Sequence, residues 1–176
     1  MKKKLLMLFA FMFAVMPCFA KTVSADSYYT INDYGVYMNV QDDHSADVIE
    51  TITVNFSQPR HGIYRYIPVE SYITNNVNGE DVTSLQRISI TNIDVNGYDY
   101  SVSRGGGTVE IQIGSADYTV SGTQTYVISY HIQFPHDTIS NYDFLYWNLI
   151  GTDWATGINK AEFTIVMPKE FNNSLI

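Results

Sequence analysis

Residues 125–134 read TYVISYHIQF. Tyr126, Ile128, Tyr130, Ile132 and Phe134 fall on one side of an extended chain, and Thr125, Ser129, His131 and Gln133 on the other. Alternation of this kind is the mark of a β-strand with one face buried, and it admits no helix. The same period recurs upstream. Tyr34, Val36, Met38 and Val40 share one face, Gln41-Asp42-Asp43-His44-Ser45 makes a polar turn, and Val48, Glu50, Ile52, Val54 and Phe56 share the next face. The two runs form a hairpin whose turn needs a positive-φ residue. His44 takes that place, which histidine tolerates better than most residues.

Between these runs the chain is cut by turn formers. Pro59 breaks the strand between Ser57 and His61, Gly62–Ile67 resumes it and Pro68 ends it. The polar stretch Thr74–Asp81 reads as a loop. Short strands follow over about Leu85–Val95, Asp99–Ser103 and Thr108–Ile113, separated by Asn96-Gly97 and Gly105-Gly106-Gly107. The alternation slips between Ile90 and Ile93, as a β-bulge makes it do. After residue 134 comes FLYWNLIGTDWATG (144–157), which holds both tryptophans. Its first half reads as a strand buried on both faces, with Trp147 in the core, and its second half as a turn carrying Asp153 and Trp154. Ala161–Met167 closes the pattern. No window has a 3.6-residue apolar period. About eight to ten short strands without intervening helices define an all-β, antiparallel β-sandwich, immunoglobulin-like in general architecture.

The N-terminus precedes this pattern and differs from it. Lys2, Lys3 and Lys4 form a basic region, Leu5–Met16 an apolar run, and Ala20 and Ala25 offer cleavage sites, which is the layout of a secretory signal peptide over residues 1–25. Cleavage after Ala25 fits the small-x-small pattern better than cleavage after Ala20. Cys18 suggests a lipid-anchored alternative, but Pro17 precedes it where a small residue is required. Its loss with the leader leaves an extracytoplasmic domain at 26–176 with no cysteine, held together by burial alone, as is common in Gram-positive envelopes. Removing Lys2, Lys3, Lys4 and Lys21 with the leader takes the formal charge from −8 to −12. Nucleic acid and bare anionic membrane both require a basic footprint and are poor partners for that balance, so no nucleic acid is expected as a partner.

Chemistry is sparse. Glu50 interrupts an apolar strand face, and a carboxylate there needs a partner. Arg65 is the candidate for a structural ion pair, with a ligand-binding carboxylate the alternative. The run Arg60-His61-Gly62-Ile63-Tyr64-Arg65-Tyr66 concentrates arginines and aromatics suited to recognition, or is simply a strand opened by a glycine. Tyr146, Trp147 and Trp154 are candidates for an exposed platform. The binding surface assembled from these is Arg60, His61, Tyr64, Arg65, Tyr146 and Trp154. His131 and His136 match no metal-ligand spacing, and Asp42, Asp43 and Asp47 lack the closing glutamate of a calcium loop. No nucleophile elbow, zinc motif or phosphate loop occurs, and nothing calls for a metal or cofactor.

Four segments in order, ADVIETITVNF (46–56), HGIYRYIP (61–68), YVISY (126–130) and LYWNLIGTDW (145–154), resemble the N-terminal domain of DUF2207, a family of predicted bacterial membrane proteins of unknown function. The resemblance spans about Tyr34–Pro168. It implies a signal peptide, a β-rich domain outside the cytoplasm and transmembrane helices further downstream. It implies no catalytic residue. His44 stands where the family usually has glycine. The sequence thus points to a non-enzymatic interaction or sensing domain of a membrane-anchored envelope protein, whose partner is another envelope protein or wall glycan. A carbohydrate-binding module is the alternative and a glycan hydrolase built on Glu50 a further one. Attachment to the membrane would come through a downstream anchor. A chain that truly ended at Ile176 would be secreted.

Overall fold

A computed structural model describes residues 28–77, 79–135, 145–151 and 153–169. The expected leader with its cleavage sites, His136 and Phe144 lie outside them. Among the described residues ten strands follow one another: β1 (Tyr29–Val40), β2 (Ser45–Arg60), β3 (Gly62–Pro68), β4 (Glu70–Val77), β5 (Glu80–Arg87), β6 (Ser89–Val95), β7 (Tyr100–Gly105), β8 (Thr108–Gly114), β9 (Val120–Gln133) and β10 (Ala161–Val166). They form a five-stranded sheet in the order β10-β1-β2-β9-β6, a three-stranded sheet β3-β8-β7, and a β4-β5 ribbon. The fold is all-β, as the alternation requires, with no helix among the described residues.

The two larger sheets share one core. Ile31, Tyr34, Val36 and Met38 of β1, alternate residues from Ala46 to Phe56 of β2, and Tyr126 to Ile132 of β9 face Ile63 and Ile67 of β3 and Val109, Ile111 and Ile113 of β8. Each such side chain taken from water contributes about 1.5–3 kcal/mol. The first hairpin forms as its pattern dictates. His44 sits at φ 61°, and the Asp43 carboxylate accepts from the Ser45 amide and hydroxyl at 3.2 and 2.6 Å, an Asx-type turn. The slip in β6 is also present: its ladder to β9 shifts between Thr91 and Asp94, with Asn92 at φ 53°.

The structure departs from the sequence pattern at four places. β2 runs on through Pro59 to Arg60, because Pro59 falls where the ladder to β9 is interrupted between Phe56 and Arg60 and no amide is needed there. Residues 74–81 are not a loop throughout but the turn end of the β4-β5 ribbon, with 74–77 finishing β4 and Glu80 and Asp81 opening β5, tied by Thr74 to Thr83 (2.8 Å) and by Asn76 to Asp81 (2.9 Å). A two-stranded ribbon with largely exposed side chains has no apolar period to read. Leu85–Val95 is two strands, parting at Ile88. Finally, 145–150 is not a strand: it is an irregular segment that lays Leu145, Trp147 and Leu149 on the core and leaves Tyr146 outside. One strand pair, β1 with β10, is parallel, so the larger sheet is mixed.

Candidate functional site

At the centre of the core lies a charged cluster. Glu50 on β2 is 0 % exposed and Arg65 on β3 is 2 % exposed. Arg65 Nε donates to Glu50 Oε2 and Nη2 to Oε1, both at 2.8 Å, so the two sheets are joined by a bidentate pair. The Tyr34 hydroxyl donates to Oε2 at 2.7 Å and the Tyr130 hydroxyl to Oε1 at 2.6 Å. Each carboxylate oxygen thereby accepts two hydrogen bonds, the full capacity of the group. Arg65 Nη1 donates to the Tyr66 carbonyl. Burial acts to raise the Glu50 pKa, but the Arg65 charge and the bonds from Arg65, Tyr130 and Tyr34 outweigh it and hold the carboxyl below its ordinary value. Burial acts to lower the Arg65 pKa, and Glu50 overrides it upward. Burial and then the Glu50 charge push both tyrosines up.

The ion pair was legible in the alternation of β2; the tyrosines were not. Their positions follow from register. Glu50 lies opposite Val36 and Ile128, whereas Tyr34 is opposite Ile52 and Tyr130 opposite Val48. Both are diagonal same-face neighbours, within reach of a long side chain. A carboxylate on an apolar face with a tyrosine on the same face of the preceding run was the available signal.

The irregular segment closes over this cluster. Trp154 packs edge-on against Tyr34 at 5.9 Å and 75°, and Trp147 against Phe134 at 6.1 Å and 79°. Backbone groups of Gly151 and Ala155 hydrogen-bond the hydroxyls of Tyr34 and Tyr29, and Ile158 bridges to Ile31. Gly151 approaches so closely that a Cβ on it would lie 2.5 Å from Arg65 Nη1. Both tryptophans named in the sequence reading are therefore packing residues of this cover. Trp154 is half-buried, and its Nε1 meets no acceptor among the described residues.

The remaining candidates sit on or beside β3. Because Ile63, Arg65 and Ile67 point inward, Tyr64 and Tyr66 point outward. Tyr64 is 45 % exposed, and the two rings lie parallel within 10° with centroids 6.1 Å apart. Tyr66 lies beside Glu110, its partner across the β3-β8 ladder, and in the field of Asp153; burial and these acids raise its pKa. Opposite the pair on β8 are Gln112 and Glu110. Arg60 stacks its guanidinium 3.8 Å above the Tyr28 ring. His61 Nδ1 lies 2.9 and 3.0 Å from the carbonyls of Ser115 and Tyr118; carbonyls only accept, so Nδ1 carries the proton. Tyr146 is 59 % exposed. The structure thus brings Tyr64 to the surface with Arg60 and His61 at the near end of β3, and places Arg65 inside, where its charge is consumed by Glu50. The aspartates of the first turn are engaged by other side chains of the domain: Asp42 lies 3.6 Å from Lys169 Nζ, and Asp47 meets Gln41 at 2.7 Å and His131 at 2.8 Å. Among the described residues no cluster of His, Cys, Asp and Glu is placed to hold a metal.

Fold and cluster define an all-β sandwich domain clamped across its two sheets by a buried ion pair. The chain belongs to the family described as predicted membrane protein (DUF2207) N-terminal domain, whose model matches residues 30–176. A comparison with curated proteins gives no match. Among solved structures, a two-domain M1 zinc metallopeptidase mutant bound to L-tryptophan is 10 % identical, with 65 % of this chain and 22 % of that chain covered and a TM-score of 0.35. An M1 zinc metallopeptidase from Deinococcus radiodurans is 11 % identical over 61 % of this chain and 21 % of its own, with a TM-score of 0.34. The chain thus spans about a fifth of the length of these proteins.

Proposed function

We propose that this is a non-enzymatic interaction domain, displayed outside the cytoplasm by a membrane protein, and that it meets its partner through the outward face of β3 and β8 around Tyr64 and Tyr66. The observation that carries the reading is the parallel tyrosine pair, Tyr64 exposed and Tyr66 half-buried, on a strand whose inner face is fixed by Arg65 and Glu50. Aromatic rings held rigid lose little entropy on binding and serve as anchors. Glu110 and Asp153 beside them favour a partner that offers lysine or arginine, through charge and cation–π contact. A hydrolytic role for Glu50 is disfavoured, because a general acid or base must reach its substrate, and this carboxylate is enclosed with every acceptor position filled.

The test is site-specific photo-crosslinking in intact cells with the probe at position 64, repeated with the probe at position 127 on the outer face of the other sheet. The reading expects an adduct from position 64 alone and its disappearance in Tyr66→Ala. Equal adducts from both positions, or none from position 64, refute it.

A further inference from the structure

Gly35 lies in the middle of β1, between Tyr34 and Val36, whose side chains face the core. Its own position therefore faces outward, opposite Thr51 on β2 and Glu162 on β10. Nothing in the backbone calls for glycine there. Its φ is not positive, and a Cβ would meet only Thr51 O at 3.8 Å and Thr51 Cβ at 3.9 Å, which is ordinary contact. Glycine inside a strand weakens it, and often marks a place where something else approaches. Here its missing side chain opens two adjoining hollows of ≈180 and ≈220 Å³ on the exposed face of the larger sheet.

The two hollows differ in chemistry. One is walled by Tyr37 and Ile49, which pair across the strands and are 45 % and 43 % exposed. The other is walled by Asp33, Lys160 and Glu162, with Thr51 and Thr53 on its floor. Lys160 Nζ lies 2.9 Å from Glu162 and 4.0 Å from Asp33, so a donor and two acceptors stand together at one rim.

We propose that the trough at Gly35 is a subsite for a neutral saccharide, the sugar's apolar face resting on Tyr37 and Ile49 and its hydroxyls bonding Thr51, Lys160, Glu162 and Asp33. Hydroxyls both donate and accept, and this rim offers both. Each hollow has room for little more than one ring. An extended peptide would instead add to a free strand edge, where main-chain groups are unpaired, and not lie across a sheet face. The site is on the opposite sheet from Tyr64 and does not rest on the reading of that surface; Tyr64→Ala leaves it intact.

The experiment is a titration of isotope-labelled protein with N-acetylchitotriose, cellotriose and maltotriose, followed by amide shifts. At least one sugar is expected to give saturable shifts at residues 35, 51 and 162, and Gly35→Val to weaken that binding about tenfold or more with a Tm equal to or above that of the parent. Gly35→Ala and Tyr37→Ala give the same reading should Gly35→Val fold poorly. The proposal is overturned if none of the three sugars shifts these amides, if the substitutions leave binding unchanged, or if tri-alanine shifts them and the sugars do not.

Discussion

Glu50→Gln is the sharpest test of how this domain is held together. The substitution changes one oxygen to an amide and keeps the volume, so any effect is electrostatic. Arg65, 2 % exposed, keeps its charge but loses its counter-ion, and one of the oxygens that now accept from Arg65 and a tyrosine becomes a donor facing other donors. Breaking a buried pair from one side costs about 3–5 kcal/mol. For a domain of this size each kcal/mol moves Tm by about 2–4 °C, so the fall should be about 6–20 °C. Because Trp154 rests on Tyr34, tryptophan fluorescence in urea reports the same event as thermal circular dichroism. Arg65→Met should cost a similar amount. The combination of Glu50→Leu, Arg65→Met, Tyr34→Phe and Tyr130→Phe should recover most of the loss, since an apolar replacement of a whole buried network is often neutral or better. A fall under about 2 °C for Glu50→Gln, equivalent to under ~1 kcal/mol, would refute this account.

Further tests follow from the same geometry. Gly151→Ala sets a methyl 2.5 Å from a clamped guanidinium and should cost about 1–3 kcal/mol in a urea titration, whereas Gly157→Ala, with nothing within 4 Å, should leave the midpoint nearly unmoved. Gly62 and Gly114 face each other across β3 and β8, at φ 134° and 124°, and a Cβ on either would meet a carbonyl oxygen at 1.8 Å; alanine at either place should prevent folding or drop Tm by more than Gly151→Ala does. For pH, Glu50 has a folded pKa below its unfolded value of about 4.3. Its contribution is complete above that value and lost as pH falls through the folded one, so Tm of the parent should fall faster in acid than that of Glu50→Gln. Tyr34 and Tyr130 have folded pKa values above the unfolded value of about 10. Their contribution is complete below that value and lost as pH rises, so Tyr34→Phe should flatten the alkaline limb of the Tm profile.

Alternation along TYVISYHIQF and along the first hairpin was enough to determine an all-β domain, because a period of two leaves one face for a core whatever the partners are. His44 at the turn, the slip near Ile90 and the need of Glu50 for a partner were also local facts, since backbone sterics and the cost of burying a lone carboxylate do not depend on the rest of the fold. What the tertiary structure decided was everything set by register and coverage. Only the placement of β9 beside β2 brings Tyr130 to Glu50, and only the pairing of β1 with β2 brings Tyr34 there. Packing also decided the fate of the tryptophan-rich stretch: its apolar residues read equally well as a strand, but Gly151 and Trp154 fit against Arg65 and Tyr34 only as an irregular cover. Arg65 lies inside and Tyr64 outside for the same reason, since one strand turns neighbouring side chains to opposite faces, and which face is the core is fixed only when a second sheet lies against it.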